Sequence, residues 1–201
     1  MMRIKTLTCV MIGVLFFSAR LYAAEISLLA SPTLYGLWMG ENQGSTDFSS
    51  TSLSYGLTLG GVFDNGLAIH GKLFGMQTSS KAKSTSDDNE TDTVASSNSL
   101  QAYGAGLGWV PREYGLYAAA SYLLAPEWTV KTDDDSTKYF GGSAIMVDLG
   151  WRFGNRDFGY GPQLSYLSSD FKKKTDTETY DLEHTLSEKI ILPYFAIWII
   201  R

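Results

Sequence analysis

Several groups of residues in this chain have types and spacings that could do chemistry. The stretch "YGAGLGWVPREYGLYAAASY", residues 103–122, carries Gly104, Gly106 and Gly108 at alternate positions. A phosphate-cradling loop needs a strand, then glycines, then a helix whose N-terminus faces the anion. Here Trp109, Pro111 and another alternating run follow, so no helix dipole is on offer. A spacing of two also puts all three glycines on one strand face, where they cannot wrap an anion together. His184, Ser187 and Glu188 lie close together in "HTLSE". A serine hydroxyl needs an adjacent base to become a nucleophile, but this stretch opens in a hydrophilic loop and reads as a solvated loop end. The acidic runs "DDNETD" (87–92) and "DDD" (133–135) offer hard oxygen ligands without the spacing of a calcium loop. They read as charged loops, so no metal and no cofactor is expected. Two further groups remain: five charged or polar residues within otherwise apolar runs (His70, Lys72, Glu127, Asp148 and Arg152), and the triplet Lys172, Lys173 and Lys174.

The elements that must position these residues are strands. From Ile26 onward apolar residues recur at every second position with no helical period. Eight such runs appear, at about 26–39, 51–63, 67–78, 99–110, 114–131, 138–153, 158–171 and 185–200. They exceed the globular average of about 5–6 residues, whereas a tilted membrane strand needs about 9–11. The connections alternate in kind. "DNG" (64–66), "PR" (111–112) and "GNRD" (154–157) are tight turns, and long polar stretches at 41–50, 79–98, 132–137 and 172–184 separate them. Short turns on one side and long loops on the other are the asymmetry of an outer-membrane barrel.

The first residues are set apart. Arg3 and Lys5 precede an apolar run over 7–17, followed by "SARLYAA", which predicts a signal peptide over 1–24 cleaved after Ala23 or Ala24. Cys9 is the only cysteine and falls within it, so the mature chain holds neither disulfides nor thiolate metal sites. The leader takes three of the 16 basic residues and none of the 21 acidic ones, leaving 13 against 21 and a net charge near −8. That balance argues against nucleic acid as a partner. No later segment approaches 18 apolar residues, so any membrane crossing must use strands.

Parity assigns the faces. Pairing Phe63 with Leu67 across "DNG", Trp109 with Tyr114 across "PR" and Phe153 with Phe158 across "GNRD" brings bulky residues onto one face in all three hairpins. Gly, Ala, Ser, Thr and the in-strand charges take the other. The bulky face suits lipid and the small face suits a cramped lumen, where Gly60 faces His70, Gly106 faces Tyr117 and Gly159 faces Arg152. Phe63, Trp109, Tyr114, Trp151, Phe153, Phe158, Tyr160 and Trp198 read as an aromatic belt near the short turns. Trp38, Trp128 and Tyr139 read as one near the loops. On this parity His70, Lys72, Glu127, Asp148 and Arg152 form a polar lumen network, with Lys138 beside Glu127 in the upper lumen. Lys72, Asp148 and Arg152 are expected to brace the barrel across its axis, because an isolated buried charge is costly. Lys172, Lys173 and Lys174 are expected at the outer rim, facing lipopolysaccharide phosphates.

In this layout, over residues 25–201, the chain resembles the small eight-stranded outer-membrane β-barrel proteins, such as the transmembrane part of outer-membrane protein A and outer-membrane protein X. Its ending, "ILPYFAIWIIR", alternates as a last barrel strand does but closes on Ile200-Arg201 instead of an aromatic residue. The resemblance implies an all-β, eight-stranded antiparallel up-and-down transmembrane barrel in the outer membrane. It also implies a monomer that meets the barrel-assembly machinery during biogenesis, then outer-membrane lipid and lipopolysaccharide. The function expected is non-enzymatic, with a lumen plugged by side chains and loops serving surface interaction or envelope stability. Two alternatives stay open: a narrow conduit for small hydrophobic solutes, similar to outer-membrane protein W, and a lipid A-modifying enzyme.

Overall fold

The computed structural model describes residues 26–201 except 44–45, 86–90, 133–134 and 177. The predicted signal peptide with Cys9, the run 87–90 and Asp133 and Asp134 lie outside the described residues. Most of the described residues are strand: β1 (Ile26–Gln43), β2 (Thr46–Phe63), β3 (Leu67–Thr85), β4 (Thr91–Trp109), β5 (Gly115–Thr132), β6 (Ser136–Phe140), β7 (Ser143–Gly154), β8 (Phe158–Thr175) and β9 (Thr179–Ile200). β6 and β7 are two segments of one stave, broken at Gly141 and Gly142, so nine strands make eight staves. Each stave pairs antiparallel with its sequence neighbour, and β9 closes on β1 through Leu29↔Ile200 and Leu34↔Phe195. The fold is an eight-stranded up-and-down barrel.

Register sets the shape. From Ile26 the perpendicular path runs through Phe63, Leu67, Trp109, Ala118, Leu149, Leu164 and Pro193. Carrying the β9–β1 register two residues further places Pro193 opposite Gly36, ten positions along β1 from the start (36 − 26). A shear of ten on eight staves tilts the strands by roughly 40° and leaves an interior just wide enough for side chains.

Three expectations about the connections change. Strand pairing continues through most of the predicted long loops, to Gln43↔Thr46, Thr85↔Thr91 and Thr175↔Thr179. Polar residues on both faces hide the alternation there, yet the ladder still satisfies the backbone, and Ser50–Ser80 and Ser52–Thr78 hydrogen bonds (3.0 Å each) link the strands. At the short-turn end, "DNG" pairs as expected, Val62↔Ala68 continuing to Phe63 and Leu67. Across 110–114, however, Trp109 meets Ala118 and Gly106 meets Ser121, four residues from the expected register. Val110 is buried and its N–H donates to Gly66 O (2.8 Å), which draws the chain beneath the barrel instead of into a two-residue turn. Across 154–157 Phe153 meets Tyr160, a slip of two, because the Asn155 carboxamide oxygen accepts from the N–H groups of Asp157 and Phe158 and needs that extra length. Both slips are even, so the faces survive.

An odd slip occurs higher up. Ladder pairing passes from Tyr103↔Leu124 to Gln101↔Glu127, with one more residue on β5 than on β4. Ala125 sits there at φ 44°, Gly141 on the next stave at φ 75°, and the β8–β9 ladder shifts between Phe171 and Lys173. This line of irregularities crosses three adjacent staves and inverts inside and outside above it. Trp128 and Tyr139, expected on an outer belt, therefore turn inward and stack at 5.2 Å beside Phe171.

Candidate functional site

The lumen is built in three layers. Near the short turns, Leu29, Val62, Ala68, Val110, Tyr117, Ala119, Ala196, Trp198 and Ile200 form an apolar floor. Trp198, expected on the outer belt, is fully buried here against Tyr117 (5.2 Å between ring centroids), because even positions of β9 point inward. Above the polar layer, Phe74, Leu100, Leu123, Met146, Leu167, Phe171, Leu192 and Tyr194 form an apolar cap with Trp128 and Tyr139.

Between them lies the polar layer. Lys72 of β3 reaches Asp148 of β7 across the barrel, from stave three to stave six, in a buried ion pair. The other Asp148 oxygen accepts from Ser165 Oγ (2.6 Å), and Ser165 accepts from Gln163 Nε2 (3.0 Å). Both carboxylate oxygens are thus occupied, which is what a charge removed from water requires. His70 stands one inward step below Lys72 and shares a hydrogen bond with Ser121 Oγ (3.0 Å). Its ring fills the space opened by Gly106, where a Cβ would stand 2.8 Å from His70 Nε2. Gly60 of β2 and Gly106 of the glycine stretch flank the histidine from its two neighbouring strands. Tyr117, expected opposite Gly106, faces Gly150 instead. Ser121, Gln163 and Ser165 were on the inward parity already, but as short neutral residues they carried no signal that a charge would use them.

Two expected members of the network are elsewhere. Arg152 does not join Lys72 and Asp148. Its guanidinium points down, where Nη1 donates to the carbonyls of Arg112 (2.7 Å) and Glu113 (2.6 Å), and Nη2 to those of Asn155 (2.6 Å) and Arg156 (3.4 Å). One fork ties the two turns 110–114 and 155–156 together beneath the floor, packing over Gly159 on the way. Turn carbonyls leave no trace in side-chain patterning, which is why the sequence pointed to Asp148 as the partner. Glu127 is not in the lumen. The bulge at Ala125 turns it outward beside Gln101, where it pairs with Lys138 at 2.8 Å, half exposed.

The lysine triplet is divided by the same irregularity. Lys173 points outward over Gly141 and faces Asp181 at 3.7 Å. Lys174 meets Asp176 at 3.1 Å, and the Tyr180 hydroxyl followed by Asp176 holds its ammonium above the ordinary lysine value. Lys172 is exposed within the shifted segment of β8. The triplet is not one cationic rim. His184 lies exposed in the unpaired stretch of β9, Ser187 Oγ donates to Asp170 (2.6 Å), and Glu188 sits on the opposite face of the strand from Ser187. "HTLSE" does not assemble into a base and nucleophile. Among the described residues no group of three or more His, Cys, Asp or Glu side chains converges as a metal site would.

No protein-family model matches the chain, and no curated protein is detectably similar to it. Among solved structures, the chain is similar over 88% of its length to 93% of the outer membrane protease OmpT of Escherichia coli, at 8% identity and a TM-score of 0.38. It is similar over 87% of its length to 98% of the β domain of the Bordetella autotransporter BrkA, at 12% identity and a TM-score of 0.27.

Proposed function

We propose that this protein is a bacterial outer-membrane barrel whose lumen is closed by its own side chains, and that its work is done by the wall and the paired hairpins above it, not by catalysis. The observation that carries this reading is the outward face. Leu28, Leu59, Leu107, Leu116, Leu149 and Phe195 are all at least half exposed, and comparable side chains surround the ring. Exposed apolar surface on that scale calls for a partner, and a closed ring satisfying every ladder internally is the β architecture that hydrocarbon accepts. Exposed Trp109, Tyr114, Trp151, Phe153, Phe158 and Tyr160 at the short-turn end stand where an interfacial belt belongs.

Closure is supported by the apolar floor and cap, with a charge pair spanning the layer between them. Ser187 Oγ donates to Asp170 and not to His184, which favours the reading of "HTLSE" as a loop end. The polar layer favours one second reading, a narrow conductance in which Lys72 and Asp148 part. Planar-bilayer recording of the refolded chain tests the two. No steady conductance is expected, whereas stable single-channel steps would replace the plugged barrel with a pore. Expression in a Gram-negative host tests the setting: mature protein should begin at Ala24 or Glu25 and fractionate with the outer membrane, with lipid A mass unchanged. Cytoplasmic protein with an intact N-terminus would overturn the proposal.

A further inference from the structure

The outer wall above the line of irregularities carries several lysines, and they differ in one respect. Lys138 is paired with Glu127, Lys173 with Asp181 and Lys174 with Asp176. Lys172 has no carboxylate partner among the described residues, and neither do Lys81 of β3 and Lys131 of β5, which are set apart by standing together. They flank a single groove of about 190 Å³ whose floor is Ala95 and Ser97 of β4 and whose side is Ser79. The register shows how they stand. Ser79, Ser97 and Lys131 are opposite one another, and Lys81 lies two residues along from Ser79, opposite Ala95. Two strand spacings and two residues separate the lysine Cα atoms by roughly 12 Å, which two four-carbon side chains can close onto one anion. Because the strands are tilted and staggered, the two-residue offset brings both lysines to nearly the same height.

Directly below, on β3, β4 and β5 and reaching Tyr55 of β2, is a second, larger groove. It holds about 460 Å³ and is lined by Tyr55, Leu73, Tyr103 and the β5 bulge at Ala125, with Gln101 and Glu127 at its upper edge. It exists because the ladder is interrupted between Tyr103 and Gln101, and because Gly75 leaves room for the Tyr55 ring. From Gln101 to Ser97 is about 13 Å along β4. Tilted strands rise about 2.5 Å per residue along the barrel axis. Ser97, twelve residues from Trp109, therefore stands roughly 30 Å above the lower belt, just beyond an apolar band of about 25 Å. An apolar groove within the band and two lysines just above it, without an ion-pair partner among the described residues, form one amphiphilic seam.

We infer that this seam on the outward face of β2–β5 binds a phosphate-bearing lipid of the surrounding leaflet, with an acyl chain along Tyr55, Leu73 and Tyr103 and the phosphate between Lys81 and Lys131. The inference rests on the outer-membrane reading and adds a site to it. Charge complementarity selects the occupant: a neutral amphiphile leaves the lysines unused, and a free anion leaves the aromatic groove unused. Lysines near anionic headgroups contribute about enough that removing two weakens binding some thirty-fold.

Native mass spectrometry of the full chain, folded in detergent micelles, tests this with three probes: dioleoyl phosphatidic acid, dioleoylglycerol and inorganic phosphate. One phosphatidic acid is expected to be retained per barrel, about thirty-fold more tightly than either of the others. Lys81→Gln with Lys131→Gln should reduce phosphatidic acid to the level of dioleoylglycerol, Tyr103→Ala should weaken it about ten-fold, and Lys173→Gln should leave it unchanged. Undiminished retention in the double variant, equal weakening by Lys173→Gln, or inorganic phosphate bound as tightly as the lipid would each overturn the site. Protease protection in phosphatidylcholine vesicles separates the two levels. A chain that inserts but shows no preference for phosphatidic acid loses only the lysine site, whereas one that never inserts loses the barrel reading and the site together.

Discussion

Of the lysine–carboxylate pairs that link different staves of this barrel, Lys72–Asp148 and Lys138–Glu127 are treated by the wall in opposite ways. Lys72–Asp148 spans the lumen with side chains 2% and 0% exposed, its carboxylate also held by Ser165. Lys138–Glu127 sits on the outside of the wall with side chains 42% and 50% exposed. By strict alternation both pairs belong in the lumen. The bulge at Ala125, continued through Gly141 and the β8–β9 shift, lies between them and places one inside and the other outside. The difference teaches that a charge in a barrel strand has no fixed meaning until the number of residues between it and the rim, bulges included, is known. Below the line a charge needs a partner because the side chains there are buried; above it and facing out, a partner is optional.

The largest expected effect comes from breaking the buried pair on one side only. Asp148→Ala leaves an ammonium among apolar layers and should cost about 3–5 kcal/mol. Adding Lys72→Met to it should recover much of that loss. Urea unfolding of the refolded barrel in vesicles measures both, and energies that simply add across the two substitutions would reject the brace. Next is the depth dependence of the outer wall. Val147→Arg, six residues above Phe153 on the outward face, should cost about 2–4 kcal/mol in vesicles. Thr129→Arg, outward above the bulge, should cost about 1 kcal/mol or less, and equal costs would show that the two positions do not differ in depth.

The bulge itself can be sharpened. Ala125 is the single described non-glycine residue with positive φ, a conformation that costs an L-residue about 1–2 kcal/mol. Ala125→Gly should raise stability by about 1 kcal/mol or slightly less, after the loss of chain entropy is offset. A decrease instead would mean that the alanine methyl contributes more to the groove than its backbone strain costs. The smallest effect is reserved for the exposed pair: Glu127→Ala should change unfolding free energy by about 0.5 kcal/mol or less, and less still at high salt. A loss comparable to that of Asp148→Ala would erase the comparison.

The legibility of the fold follows the same line. Below it, alternating Leu107, Tyr103, Leu149 and Tyr166 against Gly106, Ala102, Asp148 and Ser165 assigns both faces on these staves, because a strand has period two and one face is apolar; on β9, where both faces are bulky, Trp198 is misassigned to the outer belt. The registers of 110–114 and 154–157 were off by four and two, yet the faces held, since an even slip preserves parity. Lys72 and Asp148 were placed together on the same reasoning. Glu127, Lys138, Trp128 and Tyr139 were placed on the wrong side because one unpaired residue reverses every assignment beyond it. Nothing in "LLAPEWT" marks that residue unambiguously.

The sequence by itself determined the strand architecture, the number of staves and most of the inward set of the lower barrel. These are local or periodic properties, set by side-chain size and polarity at fixed spacing. Only the tertiary structure decided the shear of ten, the line of bulges, the turning of Arg152 toward the carbonyls of two distant turns, and the placing of Lys81 and Lys131 on either side of one groove over β4. Each of these depends on how far one strand has advanced when it meets another. That distance is set by backbone hydrogen bonds and closure of the ring, which every residue but proline can supply and which composition therefore does not encode.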